Sequence, residues 1–145
     1  MTKVDFYFNA EDRFQVACRL AGKAMRQNAR LLIYAPQGDA AARIDKLLWT
    51  WPATGFVPHC MAQDPIAAET PVLIARDADD AVPCDILLNL DDEAPPFFER
   101  YGRLLEIVGR AEAERGAARG RYRRYREAGL PISDHDLAKE PARDE

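Results

Sequence analysis

The sequence predicts a three-layer α/β sandwich, with a mostly parallel central sheet flanked by helices, and three observations carry that prediction. Short apolar runs (VDFYFN, RLLIYAP, PVLIAR, CDILLNL) alternate with stretches whose apolar residues recur at helical spacing. RLLIYAP is apolar almost throughout, the mark of a strand covered on both faces. The connecting segments DADDAVP and DDEAPP are dense in acidic and turn-forming residues.

Taken in order, Val4 to Asn9 mixes aromatic and β-branched residues and reads as a buried strand. In EDRFQVACRLAGKAMRQN, Phe14, Ala17, Cys18, Ala21 and Met25 share a helical face, with Glu11 and Asp12 at the N-terminal end and Arg26 near the other, where the helix dipole favours them. After the strand RLLIYAP, QGDAAARIDKLLWTW gives a second helix with Asp39 as its N-cap and Ile44, Leu47 and Leu48 on one face. FVPHC is a short extended piece, and PVLIAR and CDILLNL are strands. PFFERYGRLLEIVG is part helix and part strand, the strand lying around Leu104 to Val108. A last helix runs from about Ala111 to Ala128 and stops at Gly129, whose freedom at positive φ suits a C-terminal cap. Residues 1–132 are expected to form one domain and 133–145 a polar, flexible tail.

A length of 145 residues with 48% hydrophobic composition suits one globular domain and is too short for two. No apolar run approaches the roughly 20 residues that span a bilayer, and the N-terminus has no small-residue cleavage site, so a cytoplasmic protein away from membranes is expected. Cys18, Cys60 and Cys84 are odd in number, widely spaced and set beside apolar residues, as reduced, buried thiols are. The alternation of strands and helices is Rossmann-like, yet the turns NAEDRF and APQGDAA hold neither GxGxxG nor GxxxxGK, so no glycine loop cradles a phosphate and no cofactor is implied.

Charge is distributed unevenly. Residues 110 to 126 hold seven arginines against Glu112 and Glu114, a local charge of +5, which leaves −9 for the rest of a chain whose net charge is −4. At 100° per residue, Arg115, Arg119, Tyr122 and Arg126 fall in one stripe with Arg123 on its flank, while Arg121 and Arg124 point elsewhere. Guanidinium forks around an aromatic ring suit carboxylates or phosphates held bidentately. An acidic peptide and a nucleic-acid backbone both remain candidate ligands on this reading.

Other candidates carry less. His59 beside Cys60 lacks further ligands at zinc spacing, so a metal site is not expected, and nothing signals a Cys–His pair at Cys60 or Cys84. Asp79 and Asp80 sit in a turn; Asp91, Asp92 and Glu93 follow a strand, at the edge where α/β folds place their sites, and keep a nucleotide-processing enzyme as an alternative. Trp49, Trp51, Phe56 and Val57 crowd among Pro52, Gly55 and Pro58, a setting for interface anchors, although Trp49 fits a core position equally well.

Together the FYF strand, RIDKLLWTWPATGFVPH, PCDILLNL and RYRRYREAGLPI resemble the chi subunit family of bacterial DNA polymerase III, over about Val4 to Ile132. The resemblance implies a Rossmann-like, non-catalytic accessory subunit that connects the clamp loader, through the psi subunit, to single-stranded DNA-binding protein. It implies that Arg119, Tyr122 and Arg123 bind the acidic, phenylalanine-ended tail of that protein; on the stripe read above, Arg115, Arg123 and Arg126 would add steering and acidic-side-chain contacts. Trp49, Pro52, Phe56 and Val57 would form the psi-facing surface. DNA would be reached only through the partner, in keeping with an acidic remainder that repels a nucleic-acid backbone.

Overall fold

The structure is a computed structural model and describes residues 2–50 and 57–139. Seven strands form one sheet: β1 (Lys3–Ala10), β2 (Leu31–Tyr34), β3 (His59–Met61), β4 (Val72–Ala75), β5 (Ile86–Asn89), β6 (Arg103–Gly109) and β7 (Ile132–Asp136). Their order is β3-β4-β2-β5-β6-β1-β7, and every pairing between them is parallel. Among the described residues, three α-helices lie between them: α1 (Arg13–Arg26), α2 (Gly38–Thr50) and α3 (Glu112–Glu127).

The period-2 alternation of each strand splits the core into two layers. Leu31, Ile33, Val72, Ile74, Ile86, Leu88, Leu105 and Ile107 pack under Ala17 and Ala21 of α1 and Ile44 and Leu48 of α2. On the other face, Val4, Phe6, Leu32, Leu73, Leu87, Leu104 and Val108 meet Ala118 and Tyr125 of α3, together with Phe97, Phe98 and Tyr101. Asp12 caps α1, accepting from the backbone N–H of Phe14 at 2.9 Å and of Gln15 at 3.3 Å.

Topology places the important edge. From β1 the chain crosses by α1 to β2, toward the β3 side; from the adjacent β6 it crosses by α3 to β7, the opposite way. Adjacent strands left in opposite directions open a crevice at their carboxyl ends, here between Asn9–Ala10 and Gly109.

The polar tail expected from residue 133 does not begin there. Ile132–Asp136 is a sheet edge, paired with β1 from Val4↔Ile132 to Phe8↔Asp136. Polar contacts hold it: His135 Nε2 lies 3.0 Å from Asp5 Oδ1, the His135 ring stacks on Tyr7 at 4.6 Å, and Asn9 Nδ2 donates to Asp136 Oδ1 at 2.8 Å. Burial pushes the Asp5 carboxyl up, but hydrogen bonds to His135 and Arg103 outweigh it and hold the group below the ordinary carboxylate range.

Candidate docking site on the last helix

Helix α3 opens with Glu112 and Glu114 in its first turn, closes with Arg124 and Arg126 in its last, and ends before Gly129 at φ 78°. Its buried face is Ala118, Arg121 and Tyr125. Beneath it lies Glu106, fully buried in β6. Arg121 Nε donates to Glu106 Oε1 at 2.9 Å, and Tyr125 Oη and Asn89 Nδ2 donate to Glu106 Oε2 at 2.5 and 3.0 Å. Arg121 Nη1 also donates to the Asp92 carbonyl at 2.8 Å. Burial holds the Glu106 carboxyl above its ordinary range, although the Arg121 charge and the hydrogen bonds pull it down. Burial and the adjacent carboxylate raise the Tyr125 hydroxyl, so its proton stays in place as a donor. These contacts fix the rotation of α3 about its axis, and thereby which arginines face outward.

The outward face carries Arg115, Arg119, Arg123 and Arg126, all exposed, with Tyr122 half-buried and its ring centroid 5.1 Å from that of Phe6. A surface depression of about 490 Å³ is lined by Arg119, Tyr122, Arg123, Arg126 and Glu127. A second, of about 410 Å³, lies over the carboxyl ends of β1 and β6, with Phe6, Phe8, Val108, Ala118 and Tyr122 as its apolar lining and Arg115 and Arg119 among its polar residues. Arg119 and Tyr122 line both, so the two depressions share a ridge. Arg115 reaches Asn9 Oδ1 at 3.4 Å, and Arg119 reaches Glu112 Oε1 at 3.3 Å.

All five helix residues singled out in the sequence therefore line one surface. Arg124 does point away, over the Phe98 ring at 5.5 Å. Arg121 also points away, but into the core, a role that helical periodicity alone did not assign. Phe6, Phe8 and Val108 were missed as lining residues because they read as core of their strands. One signal for the buried network was present: Glu106 interrupts the apolar run LLEIV, and a charge in a buried strand demands a counter-charge.

The remaining candidates separate. Trp49 lies in the last turn of α2 with 55% of its surface exposed and its ring 4.8 Å from that of His59. Pro52 and Phe56 lie outside the described residues. Val57 is 0% exposed, packed with Ile44 and Leu48 in the core, so it cannot itself contact a partner. His59 is buried, with Nδ1 at 2.8 Å from the Val57 carbonyl and Nε2 at 2.9 Å from Asp45. The Asp91–Glu93 turn is organised through its backbone: Asn89 Nδ2 donates to the Asp91 and Glu93 carbonyls, and the Asp91 N–H donates back to Asn89 Oδ1. Asp79 and Asp80 lie in a single 3₁₀ turn whose N-cap is Asp77. Among the described residues, no group of three or more His, Cys, Asp or Glu is placed to hold a metal ion, and no helix is long and apolar enough to cross a membrane.

Fold and site together define a class: an α/β platform that presents a cationic, aromatic helix face beside a crevice of mixed apolar and polar lining. The chain belongs to the DNA polymerase III chi subunit family, HolC, whose family model matches residues 1–133. It is 38% identical to the DNA polymerase III subunit chi of Pseudomonas aeruginosa over 96% of this chain and 99% of that one. Against the subunit chi of Escherichia coli, identity is 31% over 82% of each. The fold is also similar to the C-terminal domain of the DEAD-box protein Dbp5, with a TM-score of 0.64, 11% identity, and coverage of 94% of this chain and 92% of that one. At that identity the likeness concerns fold alone.

Proposed function

We propose that the protein is a non-catalytic accessory subunit of the clamp loader in bacterial DNA replication, working in the cytoplasm by docking the acidic C-terminal tail of single-stranded DNA-binding protein on α3. One observation carries the reading: the forked cations Arg115, Arg119, Arg123 and Arg126 surround Tyr122 on the rims of two adjoining depressions, one of which also reaches Phe6, Phe8 and Val108. A peptide bearing several carboxylates and a terminal phenylalanine is complementary to that combination. Arg119, on the shared ridge, takes the terminal carboxylate; the depression floored by Phe8, Val108 and Ala118 takes the aromatic ring; Arg123 and Arg126 meet the preceding acidic residues.

Direct binding of a nucleic-acid backbone fits less well. The positive charge is confined to one helix of a chain whose remainder carries −9, whereas a protein that tracks a nucleic-acid backbone spreads its basic surface more widely. The link onward to the polymerase is assigned to psi, through exposed Trp49 with Pro52 and Phe56.

The test is affinity capture from the native cell extract with this protein as bait. Recovery of single-stranded DNA-binding protein, lost when the last residues of that partner are deleted, is the expected result. Equal recovery of the truncated partner would defeat the reading.

A further inference from the structure

Glu112 and Glu114 both stand in the first turn of α3, where the helix dipole favours acidic side chains, but their partners differ. Glu114 is held toward the sheet: its Oε1 lies 3.7 Å from Arg13 Nε, and it packs so closely on Gly109 that a Cβ there would overlap its carboxylate. Glu112 instead points along the helix. Its Oε1 accepts from both Nη1 and Nη2 of Arg119 at 3.3 Å. Seven residues separate the two, about 10 Å of helix rise, so both side chains extend along the axis to meet. The pair is largely exposed, at 76% for Glu112 and 63% for Arg119.

Seven residues bring a helix back to within about 20° of the same azimuth. Glu112 is therefore the acidic member of the arginine stripe, placing a carboxylate on the guanidinium assigned above to a ligand carboxylate. We infer that Glu112 is an intramolecular stand-in for the ligand, occupying the Arg119 fork in the free protein and giving way when an acidic peptide docks. The inference rests on the tail-docking reading and names its regulation. Docking exchanges one carboxylate for another at Arg119, so a ligand that offers a single anionic group gains little there. A ligand that also packs on Phe6, Phe8 and Val108 and reaches Arg123 and Arg126 gains contacts that Glu112 does not contest. Glu112 thereby sets a threshold that favours multivalent acidic peptides with an aromatic anchor over simple anions.

An exposed ion pair of this kind shifts an equilibrium by about 1.5- to 5-fold. The experiment titrates a fluorescein-labelled synthetic peptide, with three aspartates and a C-terminal phenylalanine, into wild type, Glu112→Gln, Arg119→Ala and the double variant at 50 mM salt. Glu112→Gln is expected to bind about two- to five-fold more tightly than wild type and to make no difference in the Arg119→Ala background. Equal or weaker binding by Glu112→Gln, or the same gain without Arg119, overturns the inference while leaving docking intact. Absence of binding by wild type overturns the docking reading and this inference with it. Because Glu112 is exposed, the thermal midpoint of Glu112→Gln stays within about 2 °C of wild type.

Discussion

Replacing Glu106 by glutamine tests how α3 is held. The substitution keeps the shape of the side chain and removes the charge that faces Arg121, itself only 4% exposed. Losing one partner of a buried ion pair costs about 3–5 kcal/mol, because the other charge stays buried without compensation. For 145 residues, an unfolding entropy of about 2.1 cal/mol/K per residue gives about 0.3 kcal/mol/K, so the thermal midpoint should fall by about 10–16 °C. Arg121→Met should cost a similar amount, and Glu106→Gln with Arg121→Met should cost less than the two together, with a coupling of at least about 2 kcal/mol. Urea unfolding of the four proteins, followed by circular dichroism, measures all of these. A loss below about 1 kcal/mol for Glu106→Gln, or strict additivity, would refute the view that this pair anchors the helix.

Two further predictions concern single side chains. Tyr122→Ala removes the ring that packs on Phe6 and lines both depressions; it should cost about 1 kcal/mol of stability but about 2 kcal/mol, roughly 30-fold, in peptide affinity, and equal small effects on both would contradict a binding role. Asp5 titrates below its ordinary value of 3.8 in the folded state, so its stabilisation is complete above that pH and is lost as pH falls through the folded value. The urea midpoint of wild type should exceed that of Asp5→Asn at pH 7, and the gap should close below about pH 3.8; a gap constant down to pH 2 would show that Asp5 carries no such linkage.

Much of the architecture was legible because burial on both faces of a parallel sheet leaves continuous apolar runs, as in LLIY, VLIA and ILLN. Strand β7 was not, because ISDHD carries no apolar alternation: it is a half-exposed edge held by Asp5 and Asn9, and such contacts across 130 and 127 residues leave no local trace. The arginine stripe was readable from a 100° wheel, since azimuth alone separates Arg115, Arg119 and Arg126 from Arg121. What azimuth cannot say is where a side chain off the stripe ends: Arg124 stays exposed over the Phe98 ring, whereas Arg121 is buried against the Glu106 carboxylate. The depression over β1 and β6 was hidden for a related reason. Phe6 and Val108 are buried in their strands and Phe8 is half-buried, and only the crossing of α3 above the sheet makes them the lining of a surface feature. Val57 fails as an interface residue because the chain turns it inward, against Leu48 and Ile44, immediately before β3.

The central claim is that the arginine stripe reads an acidic peptide end through Arg119. Fluorescence anisotropy with an acidic peptide ending in phenylalanine tests it most directly, comparing wild type with Arg119→Ala and the free terminal carboxylate with its amide. Arg119→Ala is expected to lose about 2 kcal/mol or more of affinity, about 30-fold, and amidation should weaken binding to wild type far more than to the variant. Affinity unchanged by Arg119→Ala would contradict the account.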